Sequence, residues 1–80
     1  MVLTNHEEHL IDLILYVLEE NEHIRTKEEK ENERLMILSY KKDNDLKGFW
    51  NNEGYSKKYD CCYRLILELF GIIIRDDEIK

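Results

Sequence analysis

Eighty residues are enough for one domain and too few for two, since small chains bury a small share of their surface, and 42% hydrophobic with 38% charged residues excludes a disordered chain. The longest apolar run, Leu10 to Leu18, is broken by Asp12 and falls short of the roughly 18 residues of a membrane span; with no secretory signal pattern at the N-terminus, a cytoplasmic protein is expected. The formal charge of −6 sits at one end: residues 1–24 hold Glu7, Glu8, Asp12, Glu19, Glu20 and Glu22 and no Lys or Arg, while the remaining acidic residues are matched by all 12 basic ones.

The first helix is expected from Thr4 or Asn5 to about Glu20. Thr4 and Glu7 have capping-box spacing, and Glu7 and Glu8 suit the positive end of the helix dipole. Leu10, Leu13, Ile14 and Val17 mark a core stripe that Ile11, Leu15, Tyr16 and Leu18 widen almost all the way round, as in a helix buried on several sides. Thr26 and Glu29 form a second capping box, opening a helix of strong formers. Its first eight residues, Lys27 to Arg34, contain nothing apolar and are expected to project into solvent or onto a partner.

The run Leu35 to Tyr40 reads equally as more helix or as a strand that turns at Asp43-Asn44-Asp45 into Leu46 to Trp50, and periodicity does not arbitrate over so short a stretch. Residues 43–56 carry turn-forming residues at high density and are expected to form an ordered loop pinned by Phe49 and Trp50. A last helix follows from Ser56 to Phe70, with Tyr59, Cys62, Tyr63, Ile66, Leu69 and Phe70 on one face, Arg64 paired with Glu68 on the other, and Gly71 as its C-cap. Ile72, Ile73 and Ile74 are β-branched and suit a short strand over 72–79. The expected fold is mainly α: a small three-helix domain, with a hairpin at 35–50 or a strand at 72–79 as its β element. Two segments apolar nearly all round favour self-association, as a homodimer through the first and last helices.

Catalysis is not expected. The hydroxyls are only Thr4, Thr26, Ser39 and Ser56, three of them at capping positions, and paired carboxylates such as Glu7-Glu8 and Asp76-Asp77 lie where nothing raises a pKa. No glycine-rich phosphate loop is present. No cofactor is expected. For metal, His6, His9 and His23 with Cys61 and Cys62 offer an N/S set, but the cysteines are adjacent rather than spaced as in zinc sites. The plainer reading makes the histidines solvated and Cys62 a buried hydrophobe. Adjacent cysteines have the wrong Cα separation for an ordinary disulfide, which fits a reducing compartment.

Two surfaces are candidates for binding. Between Lys41 and Arg64, six basic residues face four acidic ones, and Phe49, Trp50, Tyr55 and Tyr59 are interleaved as in segments that stack bases and track phosphates. Lys47, Trp50, Lys57, Lys58 and Arg64 would carry nucleic acid. The alternative is that these aromatics close the core. The order of helices followed by Gly71, an isoleucine-rich strand and an acidic turn resembles the end of a winged-helix domain over about the last twenty-five residues. That resemblance implies a nucleic-acid-binding regulator, although the second wing strand is missing before Lys80 and no site residue is carried over.

The other surface is acidic. Glu19, Glu20 and Glu22 crowd the negative end of the first helix, where each is unfavourable by a few tenths of a kcal/mol. Folding does not ask for them there. With Glu28, Glu29, Glu31 and Glu33 they would attract a basic partner surface, against the plainer reading of a solubilising face. The favoured expectation is a small acidic protein-binding module, an inhibitor or adaptor occupying the nucleic-acid-binding surface of another protein. Brevity and a composition rich in Lys, Ile, Asn and Glu suit a phage or mobile-element gene.

Overall fold

The computed structural model describes residues 2–51 and 55–72, without the side chains of Tyr55 and Ser56. Two long helices, α1 (Asn5–Glu20) and α2 (Lys27–Asp43), are followed by three short ones: α3 (Leu46–Asn51), α4 (Tyr55–Tyr59) and α5 (Tyr63–Leu69), the last two joined by a 3-10 turn at Asp60–Cys62. Among the described residues there is no strand, and no helix is long and apolar enough to cross a membrane. The fold is mainly α.

Local hydrogen bonding explains where the helices begin. Thr4 Oγ1 accepts from Glu7 N at 3.1 Å while Thr4 N donates to Glu7 Oε1 at 3.0 Å, a complete capping box. At α2, Thr26 Oγ1 accepts from Glu29 N at 3.0 Å. Asp45 Oδ1 accepts from Gly48 N at 2.9 Å to start α3. A Cβ at Gly48 would lie 2.1 Å from Asp45 Oδ2, so any other residue there would make that carboxylate turn aside from its present position.

Three helices end by one device, in which a left-handed residue reverses the chain and satisfies two carbonyls. After α1, Glu22 (φ +62) donates to Glu19 O at 3.0 Å and His23 N to Leu18 O at 2.9 Å. After α2, Asn44 (φ +51) donates to Lys41 O and Asp45 N to Tyr40 O. After α5, Gly71 (φ +82) donates to Glu68 O and Ile72 N to Leu67 O. Glycine and asparagine adopt this conformation readily; glutamate does not.

The core is the inner face of α1 (Leu10, Ile11, Ile14, Leu15, Leu18) closed by Ile24, Ile37, Phe49, Tyr59, Cys62, Ile66, Leu69 and Phe70. Phe49 is fully buried and touches four rings: Tyr59 at 4.8 Å between centroids, Tyr40 at 5.4 Å, Trp50 at 6.0 Å and Phe70 at 6.1 Å. Such a ring set adds directional stabilisation to its burial. These aromatics close the core.

Several expectations need correction. The hairpin over 35–50 does not form, because the helix of strong formers propagates through Leu35–Tyr40 once Thr26 has nucleated it. The turn at Asn44 then leads into α3, which stands in place of a second strand and of part of the ordered loop expected over 43–56. The last helix is not continuous from Ser56 to Phe70, since Cys62 (φ −129, ψ 32) interrupts it. The strand expected over 72–79 lies, from residue 73 on, outside the described residues. Tyr16 is not part of a buried stripe: it is 60% exposed. The first and last helices, on which self-association was expected, pack against one another within the chain. Val2, Tyr16, Leu35, Tyr63 and Ile72 are the large apolar side chains exposed among the described residues.

Candidate functional site

The connection 21–26 brings the C-terminal end of α1 and the N-terminal end of α2 together, so Glu19, Glu20 and Glu22 share one end of the molecule with Glu28 and Glu29. All five are exposed. The two helices are bridged there by Lys30 Nζ to Glu19 Oε2 and by Arg34 to Asp12 Oδ1, each at 3.7 Å. Residues 27–32 are exposed on every side, so the first half of α2 stands clear of the core as expected. Between the helices lies an open cleft of about 710 Å³, walled by Asp12 and Leu15 on one side and Glu28, Glu31 and Arg34 on the other.

The five carboxylates are not equivalent. Glu29 belongs to the cap, since Thr26 Oγ1 lies 3.3 Å from its Oε1, and Glu19 holds Lys30. Glu20, Glu22 and Glu28 form no ion pair among the described residues. Arg25 and Lys27 are also exposed at this end, which tempers the field without cancelling it. The feature that sequence reasoning missed is Tyr16. Asp12 precedes it by four residues and Glu19 and Glu20 follow at three and four, so all four share one face of α1. That spacing was a usable signal, hidden by a helix apolar almost all the way round.

The basic segment is dispersed by contrast. Lys58 Nζ and Tyr59 OH both donate to Glu33 of α2, whose side chain is only 13% exposed. Lys41 Nζ meets Glu7 Oε2 at 3.1 Å and lies 5.9 Å from the centre of the Phe70 ring. Two of the interleaved aromatics, Phe49 and Tyr59, are buried in full, and the Tyr55 side chain is outside the description. Lys47, Lys57 and Arg64 are exposed. Trp50 is half-buried, its ring edge-on to Tyr63 at 5.0 Å, and with Leu46, Lys47, Asn51 and Leu67 the pair lines a shallow groove of about 300 Å³.

The remaining titratable groups are scattered. His6 Nε2 is 3.1 Å from Glu68 Oε1 on α5, while His9, His23 and Cys61 are exposed and Cys62 is buried. Among the described residues no three His, Cys, Asp or Glu side chains gather as a metal-holding group. Glu7 has its carboxyl held below the ordinary value of 4.5, first by the Thr4 backbone N–H and then by Lys41. Compared with protein families, with curated proteins and with solved structures, the chain matches none.

Proposed function

We propose that this protein is a small acidic protein-binding module, a non-catalytic inhibitor or adaptor that occupies a basic, nucleic-acid-binding surface of a partner in the cytoplasm of a cell carrying a phage or mobile element. The observation that carries the reading is Tyr16, exposed on an acidic helix face between Asp12, Glu19 and Glu20. A large, rigid aromatic side chain in water has little to gain for folding, whereas tyrosine ringed by polar groups is a common anchor of protein interfaces. Glu20 and Glu22, placed against the helix dipole, add a field that steers a cationic partner.

The competing reading, a nucleic-acid-binding regulator, draws support from Lys47, Trp50 and Tyr63 around one groove. It is weakened because Lys58 and Lys41 are engaged with Glu33 and Glu7 and two of its aromatics are inside the core.

The test compares wild type with Tyr16→Ala and with the triple variant Glu19→Gln, Glu20→Gln, Glu22→Gln. A partner captured from the native host is identified by mass spectrometry, purified and titrated. Both variants are expected to remain helical and to lose affinity about tenfold or more. The loss in the triple variant should be largest at low salt, where charges are least screened. Unchanged affinity in both variants removes the acidic face from the account. Micromolar binding of a fluorescent single-stranded oligonucleotide by the wild type, lost on Lys47→Ala and Trp50→Ala, would transfer function to the groove.

A further inference from the structure

Two of the large exposed apolar side chains are aromatic, Tyr16 at 60% and Tyr63 at 45%. They sit on the outer sides of α1 and α5, the helices whose inner sides pack together. Their surroundings are opposite in charge. Tyr16 stands among Asp12, Glu19 and Glu20 on a helix that contains no Lys or Arg. Tyr63 stands beside Trp50, with ring centroids 5.0 Å apart and an interplanar angle of 62°, and the groove that these rings line with Leu46 and Leu67 takes its only charge from Lys47. Lys47 is exposed and forms no ion pair among the described residues. Residues 46–67 as a whole carry Lys47, Lys57, Lys58 and Arg64 against Glu53 and Asp60, in a chain that is acidic elsewhere.

We propose that the groove of one copy receives the Tyr16 face of a second copy, so that the protein self-associates through unlike surfaces. Neither surface is complementary to itself: two grooves would set Lys47 against Lys47, and two Tyr16 faces would set carboxylates against carboxylates. Set against each other, they match. The groove, at about 300 Å³, is at the lower end of the range for binding pockets and suits one inserted side chain. Trp50 and Tyr63 already meet edge to face, and a third ring can join them in the same offset geometry. Glu20, one helical turn beyond Tyr16 and in no ion pair among the described residues, is the carboxylate placed to meet Lys47. The net charge of −6 opposes the approach of two copies, but at physiological salt charges farther apart than about 8 Å are largely screened, which leaves the local match to decide. A copy seated on the Tyr16 face excludes any other partner from it.

The experiment is sedimentation velocity of the full chain at physiological salt, from micromolar to millimolar protein, with Tyr16→Ala and Lys47→Glu as variants. Both positions are exposed, and circular dichroism checks that both variants fold. Wild type is expected to associate as concentration rises, and each variant alone to associate about tenfold or more weakly, as for loss of an interface anchor. Mixed in equal amounts, the two variants should pair, because Tyr16→Ala keeps the groove and Lys47→Glu keeps the face. A wild type that is monomeric throughout, or a mixture no more associated than its separate components, overturns the proposal. A monomeric wild type that binds a fluorescent single-stranded oligonucleotide, and loses it in Lys47→Glu, also overturns it and assigns the groove to nucleic acid. Lys47→Glu leaves the Tyr16 face intact, so failure here leaves the basic-partner reading standing.

Discussion

Replacing Glu22 with glycine should stabilise the fold. Glu22 holds φ +62 at the end of α1, and its N–H and that of His23 satisfy the Glu19 and Leu18 carbonyls. A residue with a Cβ gives up about 1–2 kcal/mol in the left-handed region. Glycine removes that strain but makes the unfolded chain more flexible, which returns about 0.5–1 kcal/mol. The net gain is about 0.5–1 kcal/mol, or a rise in Tm of about 2–8 °C for a domain of this size. Charge is a confounder, because Glu22 also sits at the negative end of the α1 dipole. Glu22→Gln separates the two effects, keeping the backbone strain and removing the charge. Thermal unfolding followed by circular dichroism, repeated in urea, should rank Gly above Gln and Gln at or slightly above wild type. A glycine variant no more stable than the glutamine variant would refute the strain argument.

Three further substitutions probe the frame that holds the acidic face. Glu7→Gln should make stability less dependent on pH in the acid range: the folded carboxyl titrates below 4.5, so its contribution is present above the unfolded value and lost as pH falls through the folded one. Urea midpoints at pH 7 and pH 3 check this, and an unchanged difference between the two midpoints counts against it. Gly48→Ala should cost at most about 1 kcal/mol, because the new methyl turns the Asp45 carboxylate from the Gly48 N–H while alanine returns about 1 kcal/mol as the better helix former; in Asp45→Ala, where no cap is left to lose, the same glycine change should stabilise. Glu33→Leu leaves Lys58 and the Tyr59 hydroxyl without their shared acceptor and should lower stability by about 1–3 kcal/mol. A double variant with Lys58→Met and Tyr59→Phe should recover part of that loss, and denaturant titration reads both.

What was legible in the chain was what depends on neighbours three or four residues away. Thr4 with Glu7 and Gly71 after the last helix act where spacing placed them, and Thr26 caps α2 through Glu29 N while the Glu29 carboxylate takes the Thr26 hydroxyl in place of the backbone N–H that a capping box uses; caps are local hydrogen bonding and local backbone conformation. The left-handed motif at Glu22 was not legible, because glutamate is a poor left-handed residue and the burial of Ile24 just beyond it is a tertiary event that local spacing does not announce. Leu35–Tyr40 could not be assigned by period alone. The helix at α2 was decided by nucleation at Thr26 and by a stop at Asn44, both outside the ambiguous run. Glu33 was read as part of an acidic surface and instead receives Lys58 and Tyr59 from 25 and 26 residues away, a pairing no local pattern announces. Tyr16 shows the reverse error, an apolar letter counted as core when its helical neighbours are carboxylates.

The ion pairs fall into two kinds, and the difference bears on the proposed binding face. Lys41 with Glu7 and Lys58 with Glu33 have side chains less than a quarter exposed, so removing either partner strands a desolvated charge and the fold depends on both. Lys30 with Glu19 and Arg34 with Asp12 are long contacts, and their carboxylates are more than half exposed. Such pairs contribute about 0–1 kcal/mol and weaken with salt. A partner's cations can therefore replace Lys30 and Arg34 on the α1 face at little cost to folding, whereas Lys41 and Lys58 cannot leave their carboxylates for phosphate without loosening the core. The same inventory of charges thus leaves the acidic end free to exchange partners and ties two of the basic segment's cations, Lys41 and Lys58, to the fold.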